Sequence, residues 1–365
     1  MNCFFCATPY HIIAAIALAT GKFAGEQTLL VVMNHFDIDE AMLRRIRETG
    51  IFQDVVLYNS NNKTKWNRAK RLMNVFVPDR MMDHLANHTE FRRCVFFALD
   101  FLNLAYMVKR YEKRGIPCEF AFGDDGMGTY VNTACYRPRE FVVRLLKLTG
   151  RLTALQTVKK LLVYKPELIV ENREFTLEKI PQSPEIYEKL QQAVSKIFVM
   201  EQDLTVKDRV LYFEQPIDTP ADRENTAEEQ RLLKLVMEKL GRKAVVKMHP
   251  RSTEEALWQE FPIMKTKIPF EAMLLQKDYA PAVMMSNCST AMFSAYLLDN
   301  LPAGNCPSVF LNRLLPCQNA RINEAMDRYF RLVNGAEERA KVYSPSSEEG
   351  LLTLMEELIG AKADN

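Results

Sequence analysis

Glycine is scarce in this chain, at 13 of 365 residues, and histidine scarcer, at 5. Collagen-like periods, glycine-rich linkers and low-complexity tracts are thereby excluded, and no internal repeat is found. No run of 18 consecutive apolar residues occurs, so no transmembrane helix is expected. Charge of one sign is lacking too: 48 Lys and Arg against 46 Asp and Glu leave a net +2. Such a balance gives no global field to draw the protein onto nucleic acid, and no nucleic-acid partner is expected. Paired C-x-x-C modules are absent, and the eight cysteines (Cys3, Cys6, Cys94, Cys118, Cys135, Cys288, Cys306, Cys317) are scattered. A chain of this size needs no disulfide staples, which points to a reducing compartment.

What is present is the composition of a folded protein, 48% hydrophobic and 26% charged, with a length that fits two ordinary domains. The opening run, MNCFFCATPYHIIAAIALATGKF, is apolar enough to be tested as a secretory signal. It fails, because its first basic side chain is Lys22 and because Pro9, Tyr10 and His11 interrupt it. The expected location is the cytoplasm, with contact at the membrane face as the alternative.

Short β-branched or aromatic runs alternate with segments of helical period, the pattern of an α/β protein with parallel sheets. Strands are expected at 3–7, 28–33, 54–57, 94–99 and 118–122, with helices at 12–20, 39–49, 66–76 and 102–114 between them. The alternation lapses into a helical region over 138–160 and a Pro- and Glu-rich stretch over 165–188. It resumes with strands at 209–213, 244–247, 282–285 and 308–311, and helices at 221–240, 253–260, 290–299, 322–333 and, opened by Ser346, 346–360. Two Rossmann-like domains facing a central cleft are expected, 1–195 and 196–365, with ligands beyond the carboxyl ends of the strands.

Three motifs follow expected strands. In FAFGDDGMGTY, three of the 13 glycines fall within six residues around Asp124 and Asp125. Glycine concentrated after a strand marks positive φ or a close ligand approach, and Gly126 is a candidate contact. Two adjacent carboxylates can supply a general base, although a solvated acidic turn has the same spacing. In KAVVKMHPRSTEEA, His249, Pro250 and Arg251 leave a strand, and Ser252 and Glu255 fit a capping box. A helix N-terminus with His249 and Arg251 beside it suits an anion; a structural histidine is the plainer account. In APAVMMSNCSTAMF, Ser286, Asn287, Ser289 and Thr290 form a hydroxyl-rich turn before an expected helix, either a phosphate cradle or simple N-capping.

Glu214 and Gln215 end another expected strand, where they can meet a sugar or base or merely turn the chain. His84 and His88 share a helix face but lack the glutamate of H-E-x-x-H. Asp37-Ile38-Asp39 matches D-x-D, yet Asp37 or Asp39 serves better as a helix N-cap. No metal and no cofactor are expected. Over residues 131–165, eight basic residues (Arg137, Arg139, Arg144, Lys147, Arg151, Lys159, Lys160, Lys165) face one acidic residue, Glu140. With Phe141, Leu145, Leu146, Leu148 and Leu152 interleaved, the segment suits an anionic leaflet or an acidic glycan, or is a solvated basic helix pair.

The Asp-Asp-Gly at 124–126, His-Pro at 249–250 and Ser-Thr at 289–290, in that order, resemble the signature motifs of bacterial sialyltransferases. The match is with glycosyltransferase family 52, which includes lipooligosaccharide sialyltransferases, and more distantly with bacterial polysialyltransferases. The strand before Thr8-Pro9 is similar to the opening strand and loop of these enzymes. The resemblance implies a GT-B fold, a CMP-sialic acid donor held mainly by the C-terminal domain, and inverting, metal-independent transfer. It implies Asp124 or Asp125 as the base, undecided between them, with Asp218 or Glu214 as alternatives. It implies His249 on the departing phosphate, with Ser289 and Thr290 binding it.

The leading expectation is transfer of sialic acid to a cell-surface glycan, lipooligosaccharide or capsule. A GT-B enzyme using another nucleotide sugar such as UDP-glucose, and a non-catalytic nucleotide- or glycan-binding protein, are the competing readings. A homodimer is compatible with all three.

Overall fold

The computed structural model describes the chain except residues 37, 60–78, 98–99, 132, 173, 200–205, 216–219, 242–243, 250–251, 253–254, 267, 276–280, 288, 299–305, 316–319, 336–340 and 361–365. Of residues 220–223, 290, 320–322, 325 and 360 only the backbone is described. Two compact units result, Met1–Val199 and Met200–Asn365.

The first unit is built on seven parallel strands: β1 (Asn2–Cys6), β2 (Thr28–Met33), β3 (Asp54–Tyr58), β4 (Arg93–Phe96), β5 (Glu119–Gly123), β6 (Lys160–Val163) and β7 (Thr176–Lys179). Their order is β3-β2-β1-β4-β5-β6-β7. β1 is central and buried throughout, as expected of a parallel strand covered on both faces. It pairs β2 and β4 in parallel, placing Phe5 beside Phe96, whose rings stack at 4.1 Å between centroids. The strand order reverses direction between β1 and β4, so the crevice beyond their carboxyl ends is the topological switch point of this sheet.

The helix Pro9–Thr20 follows β1 with Thr8 as its N-cap and proline in its first turn. It is apolar on every side, and residues 10 to 19 are all buried. The opening run that invited comparison with a signal is thus a central strand and the helix packed over it. Helix Pro184–Ile197 closes the unit, with Ile186 against Gly21 and the Ile197 carbonyl accepting Arg45 Nε–H at 2.8 Å.

The second unit has six strands: β8 (Val210–Phe213), β9 (Ala244–Lys247), β10 (Ile263–Met264), β11 (Val283–Ser286), β12 (Ser308–Phe310) and β13 (Val342–Tyr343). They are parallel, in the order β10-β9-β8-β11-β12-β13, and the switch point lies between β8 and β11. One face packs Tyr212, Val246, Met285 and Trp258 into a core closed by Leu351, Met355 and Ile359 of the helix Glu348–Gly360.

Several sequence expectations are corrected. The region expected to be helical over 138–160 is two helices, Glu140–Leu148 and Leu152–Gln156, and its end is β6. The Pro- and Glu-rich stretch contains β7. The helices expected from 253 and 290 contain four-residue 3₁₀ turns, Glu255–Trp258 and Thr290–Phe293. Ser347, rather than Ser346, caps the last helix by accepting Gly350 N–H at 3.1 Å. Asp39 caps helix Glu40–Glu48. Asp37 and the helix expected at 66–76 lie outside the described residues. Among the described residues no helix is long and apolar enough to cross a membrane, and no group of three or more His, Cys, Asp or Glu is arranged to hold a metal ion.

Candidate functional site

At the switch point of the first sheet three loops meet, those after β1, β4 and β5. The loop after β5 is the acidic turn. Gly123 ends the strand where a Cβ would stand 2.2 Å from a Phe97 ring carbon, so only glycine fits there. Gly126 has φ +86°, the second position where the turn requires glycine. The turn is bracketed by hydroxyls: Tyr136 donates to the Gly123 carbonyl at 2.8 Å, and Asp125 N–H reaches Thr129 Oγ1 at 3.1 Å and the Tyr136 oxygen at 3.2 Å.

Within this frame the two aspartates differ. Asp124 is fully buried. Its Oδ1 accepts Gly126 N–H at 2.8 Å; its Oδ2 accepts the Tyr130 hydroxyl and, at 3.3 Å, Tyr164 N–H. Burial pushes its carboxyl up to about 6, against the opposing pull of those hydrogen bonds. Asp125 points the other way, its side chain 33% exposed, and one oxygen is held: Oδ1 lies 2.7 Å from Nε2 of His11.

His11 comes from the first turn of helix Pro9–Thr20 and is buried. Its Nδ1 accepts the backbone N–H of Ala7 at 3.0 Å, and its ring stacks on Phe97 at 5.8 Å and 25°. The sequence reading passed over this residue. A signal was there: Thr8-Pro9-Tyr10-His11 has the spacing of a capping box, with histidine where glutamate or glutamine reaches back to the backbone.

At the switch point of the second sheet, the loops after β8, β9 and β11 gather Glu214, His249 and the serine-rich turn. Glu214, a candidate either to meet a sugar or base or to turn the chain, is buried with both oxygens engaged. Oε2 accepts His249 N–H and Oε1 accepts the Ser252 hydroxyl, each at 2.8 Å. Burial raises its carboxyl above the ordinary value. This explains why Ser252 and Glu255 form no capping box: the serine is drawn to Glu214, and Glu255 pairs with Lys265. Gln215 is half-buried and donates to the Glu214 carbonyl at 3.1 Å.

Ser286, expected in a phosphate cradle, is likewise a bracket. Its hydroxyl donates to the Phe213 carbonyl at 2.8 Å and accepts Ser289 N–H at 3.1 Å, tying β11 to β8. Ser289 precedes a 3₁₀ turn, and its side chain makes no capping bond. Asn287 Oδ1 is buried with no hydrogen-bond partner among the described residues. Gly126, expected as a donor contact, belongs to the first unit's acidic turn and has its N–H on Asp124. Pro250, Arg251 and Asp218, and the Thr290 side chain, lie outside the described residues.

In the basic segment, Lys160 is part of β6 and pairs with Glu119 and Glu178, while Arg137 pairs with Glu174 and Arg144 with Glu140. Phe141 and Leu148 on helix Glu140–Leu148 are exposed. His84 and His88 are exposed on helix Arg80–His88.

Comparison with known proteins gives three findings. The alpha-2,8-polysialyltransferase (POLYST) family model matches residues 2–306. No curated protein matches the chain. Among solved structures, the chain is similar to an α/β-galactoside α-2,3-sialyltransferase from the luminous marine bacterium Photobacterium phosphoreum, with TM-score 0.53 and 14% identity over 94% of this chain and 97% of that one. It is also similar to UDP-GlcNAc 2-epimerases from Methanocaldococcus jannaschii (TM-score 0.55, 13% identity, 98% and 92% covered) and Neisseria meningitidis (TM-score 0.54, 12% identity, 100% and 92% covered). At these identities the likeness is one of fold, and the fold is of the GT-B type.

Proposed function

The chain belongs to the alpha-2,8-polysialyltransferase family, a family of glycosyltransferases, and from that premise we propose that it moves sialic acid from CMP-sialic acid to a hydroxyl of a cell-surface glycan, with inversion and without a metal. An alpha-2,8 linkage would take the 8-hydroxyl of a sialyl residue as acceptor, on a capsule or lipooligosaccharide chain. The observation that carries the reading is the division between the two aspartates. Asp124 has both oxygens engaged in the protein interior, whereas Asp125 has one oxygen held and a side chain that solvent reaches.

In this reading Asp125 takes the acceptor's proton on Oδ2 as the acceptor oxygen attacks the anomeric carbon. The bond from that carbon to the CMP phosphate breaks, and its electron pair leaves with CMP. An oxocarbenium-like transition state requires that base and stabilisation of the leaving group. His249 supplies the latter, its backbone fixed by Glu214. Ser289 and Thr290, with Pro250 and Arg251 beside His249 in sequence, hold the phosphate. Phe141 and Leu148, exposed on a helix that also carries Arg144 and Lys147, favour contact with an anionic membrane face.

The test is donor hydrolysis and transfer with CMP-sialic acid and, in parallel, UDP-glucose. His249→Ala and Asp125→Asn should each lower transfer by about 10² or more while CMP still binds, since acid or base catalysis is typically worth about 10² to 10⁴. Asp124→Asn should act through stability. Turnover of UDP-glucose alone would keep the fold and replace the donor; CMP binding without turnover would make this a binding protein.

A further inference from the structure

We propose that His11 is the positioning residue for the Asp125 carboxylate: its Nε2–H holds Oδ1 and leaves Oδ2 to accept the acceptor's proton. This rests on the reading of Asp125 as the base. The argument begins at the backbone. Ala7 N–H can only donate, so the His11 Nδ1 it meets at 3.0 Å presents a lone pair. In the neutral ring the proton is then on Nε2, which lies 2.7 Å from Asp125 Oδ1. Protonating Nδ1 would set N–H against N–H.

Two further contacts position the residue. Thr8 accepts His11 N–H at 3.3 Å and fixes the start of the helix. Phe97 covers one face of the ring, and Phe97 is placed by the space Gly123 leaves. The imidazole therefore orients the carboxylate but cannot take its proton, because Nε2 already carries one and Nδ1 faces the Ala7 N–H. The proton gained from the acceptor stays on Asp125 until the glycan product leaves.

Other titratable groups around the pair include Asp124, Tyr10, Tyr136, Cys135 and Cys6. Burial pushes Cys135 up to about 12, raises Tyr136 and Cys6 as well, and lifts the adjacent Asp124 to about 6, so Asp124 contributes an acid-range titration of its own. A measurement must therefore read Asp125 by itself.

Two variants separate the two bonds of the ring. His11→Asn keeps an acceptor where Nδ1 meets Ala7 and lacks reach to Asp125; His11→Gln keeps an N–H donor near the Nε2 position. With ¹³C-carboxyl-labelled aspartate, the Asp125 titration midpoint should rise by roughly one pH unit in His11→Asn, because the charged form loses a donor, and return toward wild type in His11→Gln. The acid limb of kcat/KM for CMP-sialic acid transfer should move in step, with the donor's KM unchanged. An Asp125 midpoint that is the same in wild type and a folded His11→Asn overturns the proposal, as does a His11→Gln no better than His11→Asn. Should His11→Asn not fold, the imidazole ¹⁵N spectrum of the wild type decides: a protonated Nε2 with a bare Nδ1 supports the assignment, and the opposite tautomer overturns it. A wild type with the expected titration but no CMP-sialic acid turnover would sink the proposed donor and leave the His11–Asp125 pairing standing.

Discussion

Replacing Tyr130 with phenylalanine removes one oxygen from the interior of the first unit and keeps the ring. That oxygen donates to Asp124 and also receives Tyr164 N–H at 3.1 Å and Lys165 N–H at 3.4 Å. Tyr164 N–H retains Asp124 Oδ2 at 3.3 Å, so the main loss is the bond to the carboxylate. A hydrogen bond to a charged group contributes about 2 kcal/mol and one between neutral groups about 1 kcal/mol. The Asp124 carboxyl sits near 6, above its ordinary value of 3.8. The folded state thus holds the extra proton between about pH 4 and 6, and stability is lost as pH rises through that window. Tyr130→Phe removes a bond that favours the charged form, so its cost should be about 2 kcal/mol at pH 7.5 and about 1 kcal/mol at pH 5. For a unit of this size the first figure lowers Tm by about 4–8 °C and the second by about half as much. Calorimetry of wild type and variant at both pH values provides the comparison. Equal shifts at the two pH values, or none at pH 7.5, would refute the account of Asp124 as a buried carboxylate stabilised by that phenol.

Gly123→Ala places a methyl 2.2 Å from Phe97, which at typical overpacking costs should destabilise by about 1–3 kcal/mol; adding Phe97→Leu should recover part of the loss in a denaturant titration. Glu214→Gln retains an acceptor for His249 N–H and a donor toward Ser252, so transfer should survive within about threefold, whereas Glu214→Ala should lower Tm by removing the carboxylate that accepts both His249 N–H and the Ser252 hydroxyl; loss of all transfer in Glu214→Gln would make Glu214 a catalytic group after all. Transfer should persist in excess EDTA, and its abolition with recovery on adding a divalent ion would overturn the metal-free part of the proposal.

Strands with an apolar run were legible, because a parallel strand buried on both faces needs one. β6 was hidden by its surroundings, since Lys159 and Lys160 join Leu161 to a basic helical stretch. β7, Thr-Leu-Glu-Lys, lies at the sheet edge, where a strand needs no apolar run, and β10 and β13 are two residues long. The acidic turn stood out through its glycines. The choice between Asp124 and Asp125 did not, because adjacent residues there face opposite surroundings and only the fold says which side is interior. His11 was illegible as a partner for a related reason, its carboxylate lying 114 residues away. The expected helix starts after Ser252 and Ser289 misled because capping serines are recognised by spacing, whereas Ser252 and Ser286 bond to Glu214 and to Phe213.

β1, an interior strand of the first sheet, is made before the other strands of its unit, and the helix that packs against the Pro9–Thr20 helix is the last element of that unit. β1 meets β4 only when residue 93 is available, and the Pro9–Thr20 helix is covered only when Pro184–Ile197 arrives. At ribosomal speeds of about 5–20 residues per second, the intervening stretch of about 190 residues takes roughly 10–40 s to synthesise. Through that interval the apolar helix lacks its cover, and for about the first half of it β1 has an unpaired edge, so the nascent chain, more than the finished enzyme, should depend on chaperones.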